Sequence, residues 1–340
     1  MNHHPGTDPE VPRLDLTGVD QVRLLSMYRR MLQAREFEEQ LYYLFLTTEM
    51  PGTMHQSTGQ EAVAVGVIGA LNDDDWVAST HRGHAHCIAK GVPLNEMMAE
   101  MFARRTGSCK GMGGSLHLTD FRRGMLGAFA IVGAGIPIAA GAALSARVRK
   151  TGQVAVAFFG DGAINEGLFH ETLNMAALWR LPVIFVCENN HFALSLTVEQ
   201  SSAVPNLASR SAAYGIPGES VDGNDVVAVY RTATRLVDQA RRGDGPSLLE
   251  CVTYRIRGHS RFEPSPYRRR EEVEAWRLRD PIRRLEDALL AAGWTSATEL
   301  NRIQLEVKAE LEAAIAFAQA SEPVQPDDFW NYVSGDESNA

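Results

Sequence analysis

The sequence predicts an α/β protein: a parallel sheet with helices on both faces. Two observations carry this. Three short apolar runs, VAVAFF (154–159), PVIFVCE (182–188) and SLLECVTYR (247–255), have the length and β-branched content of buried strands. Helical periodicity near 165–179 and 226–241 separates them, and short apolar strands alternating with helices form parallel sheets covered on both sides. At 340 residues and 45% hydrophobic content, the chain can bury a sizeable core.

In chain order, residues 1–17 are polar and proline-containing and are expected to form a flexible arm. The main domain is expected over 18–325. It begins with helical periodicity at 19–46 and again at 57–71, where Thr58 and Glu61 have capping-box spacing. WVAST (76–80) reads as a short strand. GAGIPIAAGAALSARV (133–148) reads as a Gly/Ala-rich helix able to pack closely. The Ser, Pro and Gly content of 191–225 and 258–270 predicts long surface loops, which in such folds often carry function. Helices near 271–291 and 299–319 form a C-terminal extension, and 326–340, ending in SGDESNA, is expected to be a tail.

A net charge of −9 and the lack of a Lys/Arg block argue against nucleic acid or an anionic membrane as partner. Cys87, Cys109, Cys187 and Cys251 show no metal-ligand spacing and are expected to be buried free thiols. No apolar run approaches the roughly 20 residues that span a bilayer, and the first residues are unlike a targeting peptide, so a cytoplasmic protein is expected.

The chemistry is concentrated in GDGAINEGLFHETLNMAALWRLPVIFVCENN (160–190). A glycine turn between a strand and a helix suits a phosphate, yet Asp161 would repel one. In a right-handed βαβ unit Asp161 and Asn190 emerge at the carboxyl ends of parallel strands, about 4.8 Å apart if these are neighbours. A hard cation held by both oxygens and by a diphosphate would resolve the conflict. The helix near Asn165 would turn its amide end toward the same phosphate. Two rivals stand beside this. One is a dinucleotide-dependent oxidoreductase with Glu188 on a ribose, although Gly160, Gly162 and Gly167 do not make GxGxxG. The other is a metal site of His81, His84 and His86, which has no acidic ligand in sequence and an arginine among its members.

With STHRGHAHCIAKG (79–91), GSCKGMGGSLHL (107–118), IVGAGIPIAAGAAL (131–144), TYRIRGHS (253–260) and YRRREEVEAWRLRDPI (267–282), the GDG…ENN pattern resembles the α subunits of thiamine-diphosphate-dependent 2-oxo acid dehydrogenase E1 components, the acetoin dehydrogenase type included. The resemblance implies the thiamine-diphosphate-binding fold and both cofactors, thiamine diphosphate and Mg²⁺. It puts Asp161, Asn190 and the Phe192 carbonyl on the metal. Gly160, Gly162, Ala163, His81 and Arg82 go to the diphosphate, and Ala130, Ile131 and Val132 to the aminopyrimidine. His259 is implied beside the thiazolium as a catalytic group, and His117 near the entrance. It further implies a β subunit completing the site in an α₂β₂ heterotetramer, a lipoyl acyltransferase as acceptor, and a 2-oxo acid or acyloin as substrate. Phe129 and Ala130 replace an Asn-Gly of near relatives, which leaves a specialised acyl or acyloin transferase, or a catalytically silent subunit, as alternatives.

Overall fold

The computed structural model describes residues 11–47, 50–260, 263 and 265–334. Six parallel strands form the central sheet, in the order β2 (Met125–Ala128), β1 (Trp76–Ser79), β3 (Ala155–Gly160), β4 (Val183–Asn189), β8 (Ser247–Val252), β7 (Gly218–Asp222). From β1 the chain moves outward to β2, whereas from β3 it moves the other way to β4. The carboxyl ends of β1 and β3 therefore flank a topological switch point, where open α/β sheets bind their ligands.

Side-chain alternation divides the core in two. Ala155, Ala157 and Phe159 of β3 face α5 (Gly135–Arg149) and α6 (Gly167–Leu178), where Ala139, Ala143 and Ala176 allow close approach. Val156 and Phe158 face the opposite layer, which contains α1 (Gln21–Leu46), α2 (Glu61–Gly69), α3 (His84–Ala89), α4 (Leu94–Met101) and α8 (Val226–Arg241). A third cluster joins α1 to α10 (Pro281–Ala291) and α11 (Ala297–Ala320) through Tyr28, Leu285 and Val307.

The structure departs from expectation in several places. The stretch 191–225 is only partly loop: it contains the hairpin β5 (Phe192–Ala193) and β6 (Leu196–Thr197), the short α7 (Val198–Ser201), a 3-10 helix at Leu207–Tyr214, and β7. Strand β7 sits at the sheet edge, so GESVD lacks the apolar run of a central strand. The helix expected over 271–291 is two, α9 (Arg270–Arg277) and α10, because Asp280 accepts from the Ile282 and Arg283 amides and Pro281 occupies the first turn. No capping box opens α2. Glu61 instead accepts the Gly59 N–H at 3.1 Å and pairs with Arg35.

Residues 1–10 of the expected arm lie outside the described residues, but 11–17 pack on the fold: Leu14 is buried, and Arg284 donates to the Pro12 carbonyl. Pro326–Ser334, expected as tail, is helical (α12), and 335–340 lie outside the described residues. All four cysteines are free. Cys87, Cys187 and Cys251 are buried, whereas Cys109 is half-buried in a loop that Glu100 gathers by accepting the amides of Cys109, Gly111, Gly113 and Gly114 at 2.7 to 3.0 Å. No helix among the described residues is long and apolar enough to cross a membrane.

Candidate active site

Strands β3 and β4 are neighbours, with Gly160 in register with Glu188. Asp161 follows β3 directly and Asn190 follows β4, so the two side chains leave adjacent strand ends. A 3-10 turn over Asp161–Asn165 comes between β3 and α6, so the amides nearest the strand end are those of this turn rather than of a helix at Asn165.

Above these ends lies a cavity of about 400 Å³. Gly160, Asp161, Gly162, Ala163 and Asn190 form its floor, with His81 and Arg82 beyond β1 and His259 beyond β8. Ile131, Val132 and Phe192 also line it, whereas Ala130 and His117 do not. His117 is exposed, its carbonyl held by Thr119 Oγ1.

Asp161 is 2% exposed, its Oδ2 has no partner, and burial pushes its pKa up to about 6. A buried carboxylate oxygen without a partner is costly and calls for a positive ligand. The Asn190 Nδ2 donates to Gln60 Oε1 at 3.1 Å, and its Oδ1 accepts the Phe192 N–H at 3.3 Å. A Cβ at Gly160 would meet no protein atom within 4 Å, which leaves open space above the turn. A Cβ at Gly162 would lie 2.8 Å from the Ala193 Cβ, so glycine there lets the β5–β6 hairpin close over the floor. Among the described residues no three His, Cys, Asp or Glu side chains converge as a metal site. A cation at Asp161 would depend on amide, carbonyl and ligand oxygens, as a hard divalent ion does.

The opposite wall is cationic. Arg82 is buried and donates to the carbonyls of Gln56 and His259, each at 2.8 Å. Burial and Arg255 lower its pKa to about 9, so it remains charged at neutral pH. His55, His81 and His259 meet ring to ring, with centroids 4.9 to 5.9 Å apart. Burial, then Arg82, lowers their pKa values to about 4, 2 and 4, so all three are neutral near pH 7. His81 Nε2 is buried without a partner. Two guanidiniums and three neutral imidazoles stand around Asp161, with Glu166 also on the lining, an arrangement that suits a polyanion bringing its own cation.

His55, Arg255, Gln60 and Glu263 join the site through the fold, and no motif spacing marks them in the sequence. Arg255, 1% exposed, lies inside the TYRIRGHS motif and donates to the Leu194 carbonyl and Tyr267 hydroxyl. Glu263 accepts the His259 N–H at 2.6 Å. His55 stands in GTMHQ, where nothing in the local pattern marks it.

The rival sites separate. His84 bridges Glu38 and Ser115, and His86 bridges Ser79 and Glu188; both histidines are buried and neither lines the cavity, and their carboxylates come from distant segments. Glu188 pairs with His86 and is not among the cavity's lining residues, so its carboxylate is not placed to meet a ligand there.

Fold and cavity define a class: an α/β protein whose ligand cavity, lined by two arginines, lies at the carboxyl ends of its strands. The family model for the dehydrogenase E1 component matches residues 29–327, and the chain belongs to that family. It is 47% identical over 300 residues to the α subunit of acetoin:2,6-dichlorophenolindophenol oxidoreductase from Bacillus subtilis, covering 88% of this chain and 90% of the relative. The corresponding Cupriavidus necator subunit is 45% identical, over 93% of this chain and 96% of its own. The pyruvate dehydrogenase E1 component α subunit of Porphyra purpurea is 42% identical, over 96% of this chain and 99% of its own.

Proposed function

We propose that the chain is the α subunit of a thiamine-diphosphate- and Mg²⁺-dependent E1 enzyme that cleaves the carbon–carbon bond beside the carbonyl of a 2-oxo acid such as pyruvate, or of acetoin. The acyl or hydroxyalkyl group then goes to a lipoyl or other acceptor. The observation that carries this is the unpartnered Oδ2 of the buried Asp161 carboxylate beside Asn190, facing Arg82 and Arg255 across one cavity. Family membership and the names of the relatives support it.

Asp161, the Asn190 amide oxygen and the Phe192 carbonyl would hold the cation. Gly160, Gly162 and Ala163 would line the diphosphate, with Arg82 as its counter-charge. Bound thiamine diphosphate supplies a nucleophilic thiazolium carbon, which the protein itself lacks. The chain contributes position and proton handling. His259 has Arg82 Nη2 at 3.2 Å from Nδ1, so Nδ1 is the acceptor and Nε2 carries the proton. A neutral Nε2–H donor would hydrogen-bond a substrate carbonyl oxygen without putting a further charge into the pocket.

Exposed apolar residues at the mouth, Ile131 at 71%, Val132 at 47% and Leu194 at 54%, support a second subunit covering the cavity. In this reading a β subunit supplies the acid beside the aminopyrimidine, within an α₂β₂ assembly that a lipoyl acyltransferase serves. Phe129 on the cavity wall favours a second reading, a specialised acyloin or acyl transferase. Calorimetry with thiamine diphosphate and Mg²⁺, with and without the co-expressed β subunit, tests the proposal. Binding is expected with the partner and lost in Asp161→Ala. Full turnover by the α chain alone would overturn the two-subunit reading.

A further inference from the structure

Gln60 is 1% exposed and directly precedes α2, where it makes no side-chain cap. Its Oε1 instead accepts from Asn190 Nδ2 at 3.1 Å. A primary amide presents either its oxygen or its NH₂ to a neighbour, and the two faces have opposite meaning for a cation: one coordinates, the other repels. With Nδ2 engaged by Gln60 and the Phe192 N–H aimed at Oδ1, the orientation of Asn190 is set from both ends.

The support beneath Gln60 is rigid for reasons visible in the backbone. Gly59 has φ +99°, and a Cβ there would lie 2.6 Å from the Tyr254 carbonyl oxygen, so only glycine passes this close to the segment after β8. The Gly59 carbonyl accepts from Thr253 Oγ1 at 3.2 Å, the Thr58 carbonyl accepts the Ile256 N–H at 3.1 Å, and the Gln60 N–H donates to the Ser57 carbonyl at 2.9 Å. Residues 57–60 are thus stitched to the strand segment that leads to Arg255 and His259, and Gln60 reaches the end of β4 from that base.

We propose that Gln60 is a positioning residue for the cation, holding the Asn190 amide with its oxygen toward the Asp161 carboxylate's ligand. The inference rests on the proposed Mg²⁺–diphosphate site and assigns Gln60 no contact with the metal. A partner of this kind is worth about 10- to 100-fold in metal affinity.

The test is Mg²⁺ titration by calorimetry at saturating thiamine diphosphate, on the chain co-purified with its β subunit. Gln60→Leu removes the acceptor and is expected to weaken Mg²⁺ about 10- to 100-fold. Gln60→Glu keeps an acceptor for Nδ2 and is expected to stay within about threefold of the parent or to bind more tightly. Thermal unfolding without ligands confirms that both variants fold. Parent-like affinity in Gln60→Leu, or equal loss in Gln60→Leu and Gln60→Glu, would overturn the inference and make Gln60 only part of the loop ahead of α2. Asp161→Asn keeps the two readings apart. If the parent binds Mg²⁺ and that variant does not, the site stands whatever Gln60 does. If the parent itself does not bind, the proposed function fails first.

Discussion

The Arg82 guanidinium donates at 2.8 Å to the backbone carbonyl of His259, and the same nitrogen stands 3.2 Å from that residue's Nδ1. One cation therefore fixes both the position and the tautomer of an imidazole 177 positions away in sequence. In histidine-labelled protein, NMR is expected to show His259 as the Nε2–H tautomer, titrating near pH 4. In Arg82→Gln its pKa is expected to rise toward 6.5. An unchanged titration would mean that burial and Arg255 hold it down.

Acid should destabilise the ligand-free protein at a definite place on the pH scale. His55, His81 and His259 are lowered from 6.5 to about 4, 2 and 4, so the unfolded chain takes up protons that the fold refuses. Their stabilising contribution is complete above pH 6.5 and is lost as pH falls from there through 4. Asp161, raised from 3.8 to about 6, has the opposite sign: its contribution is complete below 3.8 and is lost as pH rises through 6. Three groups against one predict a melting temperature that falls from pH 6.5 toward 4.5, and circular dichroism reads it directly. His55→Gln should flatten the slope.

Asp161→Asn is expected to separate stability from function. It removes a buried, half-unpartnered charge and should stabilise the ligand-free protein at pH 8 by about 1–2 kcal/mol. Mg²⁺-dependent binding of thiamine diphosphate should disappear. Thermal melts with and without both ligands check both halves, and a destabilised apoprotein would contradict the first.

Gly162→Ala puts a methyl group 2.8 Å from the Ala193 Cβ. The β5–β6 hairpin must shift, at a cost of about 1–2 kcal/mol in stability. Cofactor affinity should fall roughly tenfold because the hairpin closes the floor. Fluorescence titration with thiamine diphosphate is the measurement, and unchanged affinity would show that the hairpin does not shape the site.

Phe129→Ala enlarges the cavity wall. The ratio of kcat/KM for a branched 2-oxo acid over pyruvate is expected to rise about tenfold, the usual worth of one apolar contact. An unchanged ratio would place substrate selection in the partner subunit.

The central sheet and the floor of the site were legible in the sequence because both rest on local rules. Buried parallel strands are apolar throughout, and a βαβ unit puts Asp161 and Asn190 at neighbouring strand ends. The edge strands were not legible for different reasons: β7 is half-exposed and lacks that apolar run, while β2 is buried but only four residues long and contains a glycine. The cationic wall was only partly legible. His81, Arg82 and His259 lie in motifs with a recognisable pattern, whereas His55 and Gln60 are brought against lining residues by packing between distant segments, which leaves no spacing to read. The same limit applies to His84 and His86: their acids, Glu38 and Glu188, are distant in sequence, so the crowding in HRGHAH resembled a metal site.

The thiols offer a practical opening. Burial pushes Cys87, Cys187 and Cys251 far above the ordinary thiol range, out of reach of reagent and base alike, while Cys109 touches solvent. Its own pKa is also raised, by burial first and Glu100 next, so a maleimide will react slowly and at mildly alkaline pH. The unmodified chain thus carries one natural attachment point for a fluorophore, in the loop between α4 and β2, and arrival of a partner near that loop can be followed without changing a single amino acid.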